Sequence, residues 1–221
     1  MTDVAFGLFD HLEQRAGQAP HDTYAGRIRL VQAAEQAGFH AYQVAEHHFT
    51  PLGLAPSPSL FLAALAPVTQ RIRLGSLVHL LPLYTPVRLI EEICMLDQLS
   101  GGRLELGIGR GVSPFELGHY GVDFLASRDS FEETLTALIA GLTQPQLHAR
   151  GAQFRYRGRA DGHAPAAAAR AAAVVWHHQC GQRALRRRTG HARGKPCTER
   201  DARGPDDHLS GTAHRPPRRA A

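Results

Sequence analysis

Two adjacent histidines, His47 and His48, are the first residues in the chain whose chemistry suggests a reactive site. They follow Ala45 and Glu46 at the end of a predicted buried strand, which is where parallel α/β barrels place their reacting groups. Imidazole titrates near neutral pH, so either ring could act as a general acid or base. One ring could equally be a structural, hydrogen-bonded histidine. We expect no metal ion, because adjacent side chains rarely point at one ion and no third ligand is evident.

A glycine-rich turn containing an arginine is the second candidate, with the sequence Gly107-Ile108-Gly109-Arg110-Gly111. Glycines let a backbone approach a ligand closely, and a guanidinium can clamp a phosphate with paired donors. The alternative is a tight strand-to-helix turn with a solvated arginine. Taken alone, the motif leaves both interpretations open.

The chain around these motifs alternates between predicted strands and helices. Short apolar runs predict strands at 4–9, 42–45, 72–78 and 104–108, and apolar periodicity predicts helices that begin near Asp22, Ser59, Pro86 and Ser127. Four strand–helix units imply parallel strands with right-handed crossovers, in an open doubly wound sheet or in the first half of an eight-stranded barrel. The first turn lacks a Gly-x-Gly-x-x-Gly motif, which argues against a dinucleotide-binding open sheet. The runs at 4–8 and 104–108 are predicted to be covered on both faces.

Composition and charge exclude several classes of protein and divide the chain in two. No apolar run is long enough for a membrane helix, no signal sequence is evident and the three cysteines are too irregular for a disulfide framework, so a cytoplasmic location is expected. The net charge of +5 arises from residues 160–221, which hold 12 Lys and Arg against 5 Asp and Glu, whereas residues 1–159 hold 13 against 15. A basic tail could bind nucleic acid.

The order of several short motifs closely resembles the luciferase-like flavin-dependent monooxygenases over roughly residues 4–157. The motifs that carry the resemblance are Ala33-Ala34-Glu35 with Gly38-Phe39, Ala45-Glu46-His47-His48-Phe49, Pro86-Val87-Arg88, Leu96-Asp97-Gln98-Leu99-Ser100-Gly101-Gly102-Arg103, the turn at 107–111, and Phe131-Glu132-Glu133.

The resemblance implies a TIM-type (β/α)8 barrel that uses reduced FMN and O2 to oxidise a small organic substrate. It also implies a flavin reductase as a possible partner that supplies the reduced FMN, and a tendency to dimerise. A deazaflavin-dependent oxidoreductase of the same superfamily is an alternative that these residues do not separate. A membrane or nucleic-acid partner is not implied.

Individual roles follow from the same resemblance. His47 matches the family's catalytic histidine, a base or stabiliser in the oxygen chemistry of the flavin, and His48 is the second candidate. Arg110 matches a position near the flavin phosphate. Leu77 and Val78 match the place where the backbone packs under the flavin ring, often through a non-proline cis peptide.

The resemblance bears on two further positions. Glu46 is expected to be one of the residues that contact the cofactor. Gly109 stands where light-emitting luciferases carry a reactive cysteine, so light emission from a long-chain aldehyde is not implied.

The sequence changes character after Tyr156. It becomes rich in Ala, Arg, Pro and His, and it lacks the apolar content needed to offset chain entropy, so we expect a disordered basic tail and no further barrel strand. Read one base later, a compatible coding sequence for residues 174–190 yields a segment that resembles the family's next strand and helix. We therefore divide the chain into a half-barrel at 1–157 and a tail at 158–221 that is out of frame.

This division predicts that the 221-residue chain is inactive as a monooxygenase. Four strands would leave the outer edges of the first and fourth strands unpaired, and half of the flavin contacts would be missing. The alternative function is a non-catalytic half-barrel with a nucleic-acid-binding tail.

Overall fold

The computed structural model describes residues 4–144, 146–158 and 173–175. Strands and helices alternate along the chain, as predicted. The strands are β1 (Gly7–Asp10), β2 (Ala41–Val44), β3 (Arg73–Leu80), β4 (Leu104–Gly109), β5 (Leu147–Arg150), β6 (Arg155–Gly158) and β7 (Ala173–Val175). The helices are α1 (Pro20–Gln36), α2 (Pro58–Leu65), α3 (Pro86–Leu99), α4 (Pro114–His119) and α5 (Ser127–Thr143), with 3-10 turns at Ala66–Val68 and Leu81–Leu83.

The main sheet is parallel throughout, in the order β1-β2-β3-β4-β7. The prediction of four parallel strand–helix units is thereby confirmed. The expectation that no barrel strand follows Tyr156 is wrong, because β7 pairs with β4 and Leu106 lies opposite Ala173. The outer edge of β4 is consequently paired. The predictions of a disordered tail and a changed reading frame concern residues that lie mostly outside the described part of the chain.

The strands β5 and β6 form a separate antiparallel hairpin beside α5. Leu147 anchors the hairpin in the core, and Glu133 of α5 accepts a hydrogen bond from the backbone N–H of Ala152 at 2.8 Å. The hairpin therefore lies outside the parallel sheet and adds no strand to it.

Several predicted boundaries move by a few residues. The strand β1 begins at Gly7, and the residues before it are open, with Val4 74% and Phe6 68% exposed. The prediction that both faces of this first strand are covered is wrong, because the residues of β1 alternate between exposed and half-buried. The strand β4 is buried as predicted. The helix α2 begins at Pro58, whose fixed φ suits a first helical position.

The core lies between the sheet and the helices that follow its strands. Many of its largest fully buried side chains come from β2, α2, β3, α3, β4 and α5, and these include Tyr42, Leu62, Leu65, Leu74, Leu89, Ile93, Ile108 and Phe131. None of the described helices is long and apolar enough to cross a membrane.

One side chain, Arg103, ties the end of α2 to the start of β4. Its guanidinium donates to the carbonyl oxygens of Ala66 at 2.8 Å, Thr69 at 3.1 Å and Ile72 at 2.9 Å, and Nε donates to the Ser100 carbonyl at 2.7 Å. Three of these carbonyls lie in the segment between α2 and β3, and the fourth lies directly after α3. A planar five-donor group can satisfy them together, which an ammonium cannot.

We expect Arg103→Met to lower the free energy of unfolding by roughly 2–4 kcal/mol, because several carbonyls would lose their donor. Arg103→Lys should lose an intermediate amount. Urea unfolding followed by circular dichroism measures both. The matched control is Arg128→Met, which removes an exposed ion pair with Glu132 and should cost less than about 0.5 kcal/mol. Equal losses in the two Met variants would contradict this role for Arg103.

Candidate active site

A cleft with a volume of about 380 Å³ opens at the carboxyl ends of β1 to β4. Parallel pairing brings these four strand ends to one edge of the sheet, so residues distant in sequence meet there. The lining residues are Phe9, His11, Ala45, Glu46, His47, Leu77, Val78, Leu80, Gly109, Arg110, Gly111, Val112, Ser113 and Glu116.

The floor of the cleft is apolar and is formed by the end of β3. The peptide bond between Leu77 and Val78 is cis, as the resemblance implied, and the β3–β4 register shifts between Ser76 and His79. Gly109 of β4 lies directly against this floor: a Cβ atom at Gly109 would stand 2.6 Å from Cγ2 of Val78. The absence of a side chain at Gly109 thus allows Val78 to sit where it does.

A chain of hydrogen bonds among buried and half-buried groups holds the part of β3 that forms the floor. Ser76 Oγ donates to the Gly107 carbonyl at 2.9 Å, so it must accept from Nδ1–H of His79 at 2.6 Å. Nε2 of His79 then accepts from the Ser59 hydroxyl at 3.0 Å. His79 is completely buried and neutral in this arrangement, and burial lowers its pKa, which the more distant Glu46 and Glu92 carboxylates offset in part.

His47 lies on the wall of the cleft with both ring nitrogens in contact with other side chains. Nδ1 is 3.1 Å from Oε1 of Glu116, and Nε2 is 3.2 Å from Nδ1 of His11. The planes of the His11 and His47 rings lie 23° apart, and their centroids are 5.2 Å apart. A carboxylate beside Nδ1 fixes the orientation of the ring and the nitrogen that carries the hydrogen, which suits a general acid or base.

Glu116 owes its position to the short helix α4. The side chain of Ser113 accepts from the backbone N–H of Glu116 at 3.2 Å and so caps the first turn. The sequence prediction contained no helix here, although serine followed three residues later by glutamate is typical of a helix start. Only the fold shows that this turn places the carboxylate next to a histidine from another strand.

His48 belongs to a second, buried network on the other side of the strand end. Its Nε2 contacts Oε1 of Glu46 at 2.9 Å, and its Nδ1 contacts the Tyr120 hydroxyl at 2.9 Å. Oε2 of Glu46 accepts from the Leu80 backbone N–H at 3.1 Å and from the Tyr84 hydroxyl at 2.8 Å. Burial and the Glu46 carboxylate raise the pKa of Tyr84, so this phenol stays protonated.

Arg110 stands at the rim of the cleft. Its guanidinium carbon lies 4.5 Å from the centre of the Phe124 ring, a cation–π distance that leaves the N–H groups available to a ligand. His47, which follows β2, and Arg110, which follows β4, therefore line the same cleft.

The structure brings most of the predicted site residues together. Those that line the cleft are Glu46, His47, Leu77, Val78 and Arg110. His48 does not line it, because its ring is 4% exposed and both nitrogens are engaged in the buried network, so the geometry gives its predicted catalytic role no support. His11, Glu116 and His79 were missed by the sequence prediction.

The sequence of residues 4–195 matches the family model of the luciferase-like monooxygenases. The chain belongs to this family. The match extends beyond the limit near residue 157 that the sequence comparison had placed.

Two relatives match this chain over part of their length. The chain is 50% identical to the uncharacterized protein y4wF of Sinorhizobium fredii over 69% of this chain and 44% of that protein. It is 39% identical to the oxygenase component of a flavin-dependent trigonelline monooxygenase from Acinetobacter baylyi, over 51% of this chain and 32% of that protein. The chain thus spans less than half the length of these relatives.

A solved structure shares the fold. The oxygenating constituent of 3,6-diketocamphane monooxygenase from Pseudomonas putida, in complex with FMN, superposes with a TM-score of 0.69 at 24% identity, over 79% of this chain and 52% of that one. At this identity the likeness shows the fold alone.

A methyl group added at Gly109 tests how closely β4 packs against Val78. We expect Gly109→Ala to lower the free energy of unfolding by roughly 1–3 kcal/mol, because the new Cβ overlaps Val78, a side chain that is stiff at χ1. The control is Gly118→Ala, where a Cβ would meet nothing within 4 Å. This control should be neutral or slightly stabilising in urea unfolding, and a similar loss in both variants would refute the packing argument.

Burial of His79 makes the free energy of unfolding depend on pH, and the sign follows from the direction of the pKa shift. Because its pKa is lowered in the folded state, unfolding takes up a proton below the ordinary imidazole range of about 6.5. The contribution of His79 to the free energy of unfolding is therefore fully present above that range. It falls as the pH drops through the range, by at most about 1.4 kcal/mol per pH unit.

We expect His79→Asn to be less stable at pH 7 but to show a flatter decline between about pH 7 and pH 5. The exposed His21→Asn serves as the control and should keep the full decline. Urea unfolding at several pH values measures these slopes. An unchanged slope in His79→Asn would show that another group accounts for the acid sensitivity.

Proposed function

We propose that the cleft binds reduced FMN and that the intact protein is an FMN-dependent monooxygenase that oxidises a small organic substrate with O2. The observation that carries this proposal is the placement of an apolar floor, a histidine–carboxylate pair and an arginine around one cleft, in a chain of the luciferase-like family. The flavin-dependent relative from Acinetobacter baylyi supports the choice of cofactor.

The residues of the cleft fit the two ends of a flavin mononucleotide. The Leu77–Val78 floor offers apolar surface for a flat ring system, and Gly109 has no side chain that would displace Val78. At the rim, Arg110 offers a guanidinium suited to a phosphate, held in place by the ring of Phe124. When bound, FMN would supply the activation of O2.

The protein side chains would contribute orientation and proton control. The apolar floor keeps water from the reacting face, which strengthens polar interactions there. His47, held by Glu116, would hold or move a proton at the cleft wall. Glu46 also lines the cleft, but its carboxylate is engaged by His48, Leu80 and Tyr84, so its proposed contribution is to shape the wall.

Further parts of the proposal concern the whole protein. We propose a TIM-type (β/α)8 barrel whose first strands are those described, a separate reductase as the source of reduced FMN, dimerisation, and a cytoplasmic location. Because the chain spans less than half the length of its relatives, we expect it by itself to bind FMN weakly, not to copurify with stoichiometric flavin, and to lack monooxygenase activity.

Comparing FMN with riboflavin tests the phosphate site. We expect the protein to bind FMN more tightly than riboflavin by roughly tenfold to a hundredfold, the effect of a charge-assisted hydrogen bond. Arg110→Met should abolish this preference and leave riboflavin binding unchanged, whereas Arg128→Met, on the exposed face of α5, should preserve it. Flavin fluorescence titration measures all three.

The same titration separates the competing functions. Equal affinity for FMN and riboflavin in the unaltered protein would refute the phosphate site. Tighter binding of a deazaflavin cofactor than of FMN would favour the deazaflavin-dependent alternative. Salt-sensitive binding of DNA without flavin binding would favour the nucleic-acid-binding alternative.

A further inference from the structure

The two ring nitrogens of His47 are both occupied by protein groups. The Glu116 carboxylate can only accept, so Nδ1 of His47 carries a hydrogen and donates it over 3.1 Å. The 3.2 Å contact between Nε2 of His47 and Nδ1 of His11 joins two nitrogens and can hold a single hydrogen. His47 therefore has no nitrogen left for a molecule in the cleft.

His11 supplies the next free nitrogen. It follows β1 directly, lines the cleft and lies nearly parallel to the ring of His47, while the ring of Phe9 packs edge-on against it with centroids 4.7 Å apart. Within the described part of the chain, Nε2 of His11 has no hydrogen-bond partner. The pair thus ends in an imidazole nitrogen without a protein partner among the described residues, on a side chain that lines the cleft.

We propose that His11 and His47 form one proton-sharing pair, in which Nε2 of His11 exchanges the proton with the bound molecule and Glu116 determines where the proton rests. This inference deepens the proposed function and rests on it only for the identity of that molecule. It assigns His11 a part that neither the family comparison nor the sequence motifs had given it.

The proton count of the pair is simple. In the resting state one hydrogen lies on Nδ1 of His47 and one on Nδ1 of His11, and Nε2 of His11 carries a lone pair. A proton that binds this lone pair makes His11 an imidazolium, whose Nδ1 hydrogen can pass to Nε2 of His47. The positive charge then lies on His47 beside the Glu116 carboxylate, and release follows the reverse order.

The charged groups around the pair support this assignment. Glu116 from α4 contacts His47 directly. Glu46, next to His47 in sequence, directs both oxygens at the buried network of His48 and Tyr84. Arg110 lines the same cleft but stacks on Phe124. Glu116 is therefore the carboxylate in contact with the pair among the described residues.

Nitrogen NMR of the full 221-residue chain tests the pair without any cofactor. In protein labelled with 15N at histidine, at about pH 8 and thus above the ordinary titration range of imidazole, both His11 and His47 should be hydrogenated at Nδ1. A scalar coupling across the hydrogen bond should join Nε2 of His47 to Nδ1 of His11. Absence of this coupling in the unaltered, folded protein would overturn the proposal.

Two variants of Glu116 then test whether the rings act together. Glu116→Leu removes the acceptor, so the hydrogen of His47 should move to Nε2; His11 must then accept at Nδ1 and carry its own hydrogen at Nε2. Glu116→Gln retains an accepting oxygen and should preserve both resting tautomers. The distant His21→Asn should change neither ring.

The decisive residue is His11, which Glu116 does not touch. If Glu116→Leu changes His47 but leaves His11 hydrogenated at Nδ1, the rings are independent and the proposal fails. Its failure is distinct from failure of FMN binding, because the NMR signals report on the rings alone whereas the flavin titration depends on Arg110. Coupled tautomers without FMN binding would leave the pair intact and remove only the proposed cofactor.

Discussion

Parallel pairing of the first four strands is the constraint on which the site depends. Every strand in such a sheet runs in the same direction, so the segments that follow β1, β2, β3 and β4 emerge at one edge. This brings His11, His47, the Leu77–Val78 peptide and Arg110 around one cleft, although they span about a hundred positions in the sequence. The helices that connect the strands pack against the sheet and bury the core side chains.

Buried polar groups at this edge are satisfied in separate networks that give neighbouring histidines different tasks. His48 is enclosed by Glu46 and Tyr120 and helps to fix the wall, whereas His47 turns towards Glu116 and His11 at the cleft. His79 supports the floor through Ser76 and Ser59. Since an unpaired polar group in such a site would be costly, each ring is held in one orientation.

Local patterns in the sequence predicted the strand–helix order well because each element carries its own signal. Apolar runs marked β2, β3 and β4, and apolar periodicity marked the long helices. The first strand was predicted to begin three residues too early, at Val4 and not at Gly7, and its burial was overestimated, since burial depends on which elements pack against its faces. The short strand β7 was missed because its alanine-rich surroundings resemble a tail, and only pairing with β4 gives it strand geometry.

The sequence by itself determined the family, the parallel α/β class and the candidates His47 and Arg110, because these rest on contiguous motifs and on periodicity. Only the tertiary structure decided which of the two adjacent histidines lines the cleft and which groups contact its ring nitrogens. His47 and His48 are neighbours in the loop after β2, so only the family resemblance ranked His47 first, and no local pattern told which ring enters the cleft. The partners of His47 are His11, directly after β1, and Glu116 of α4. Contacts over such distances in the chain exist only once the sheet has formed.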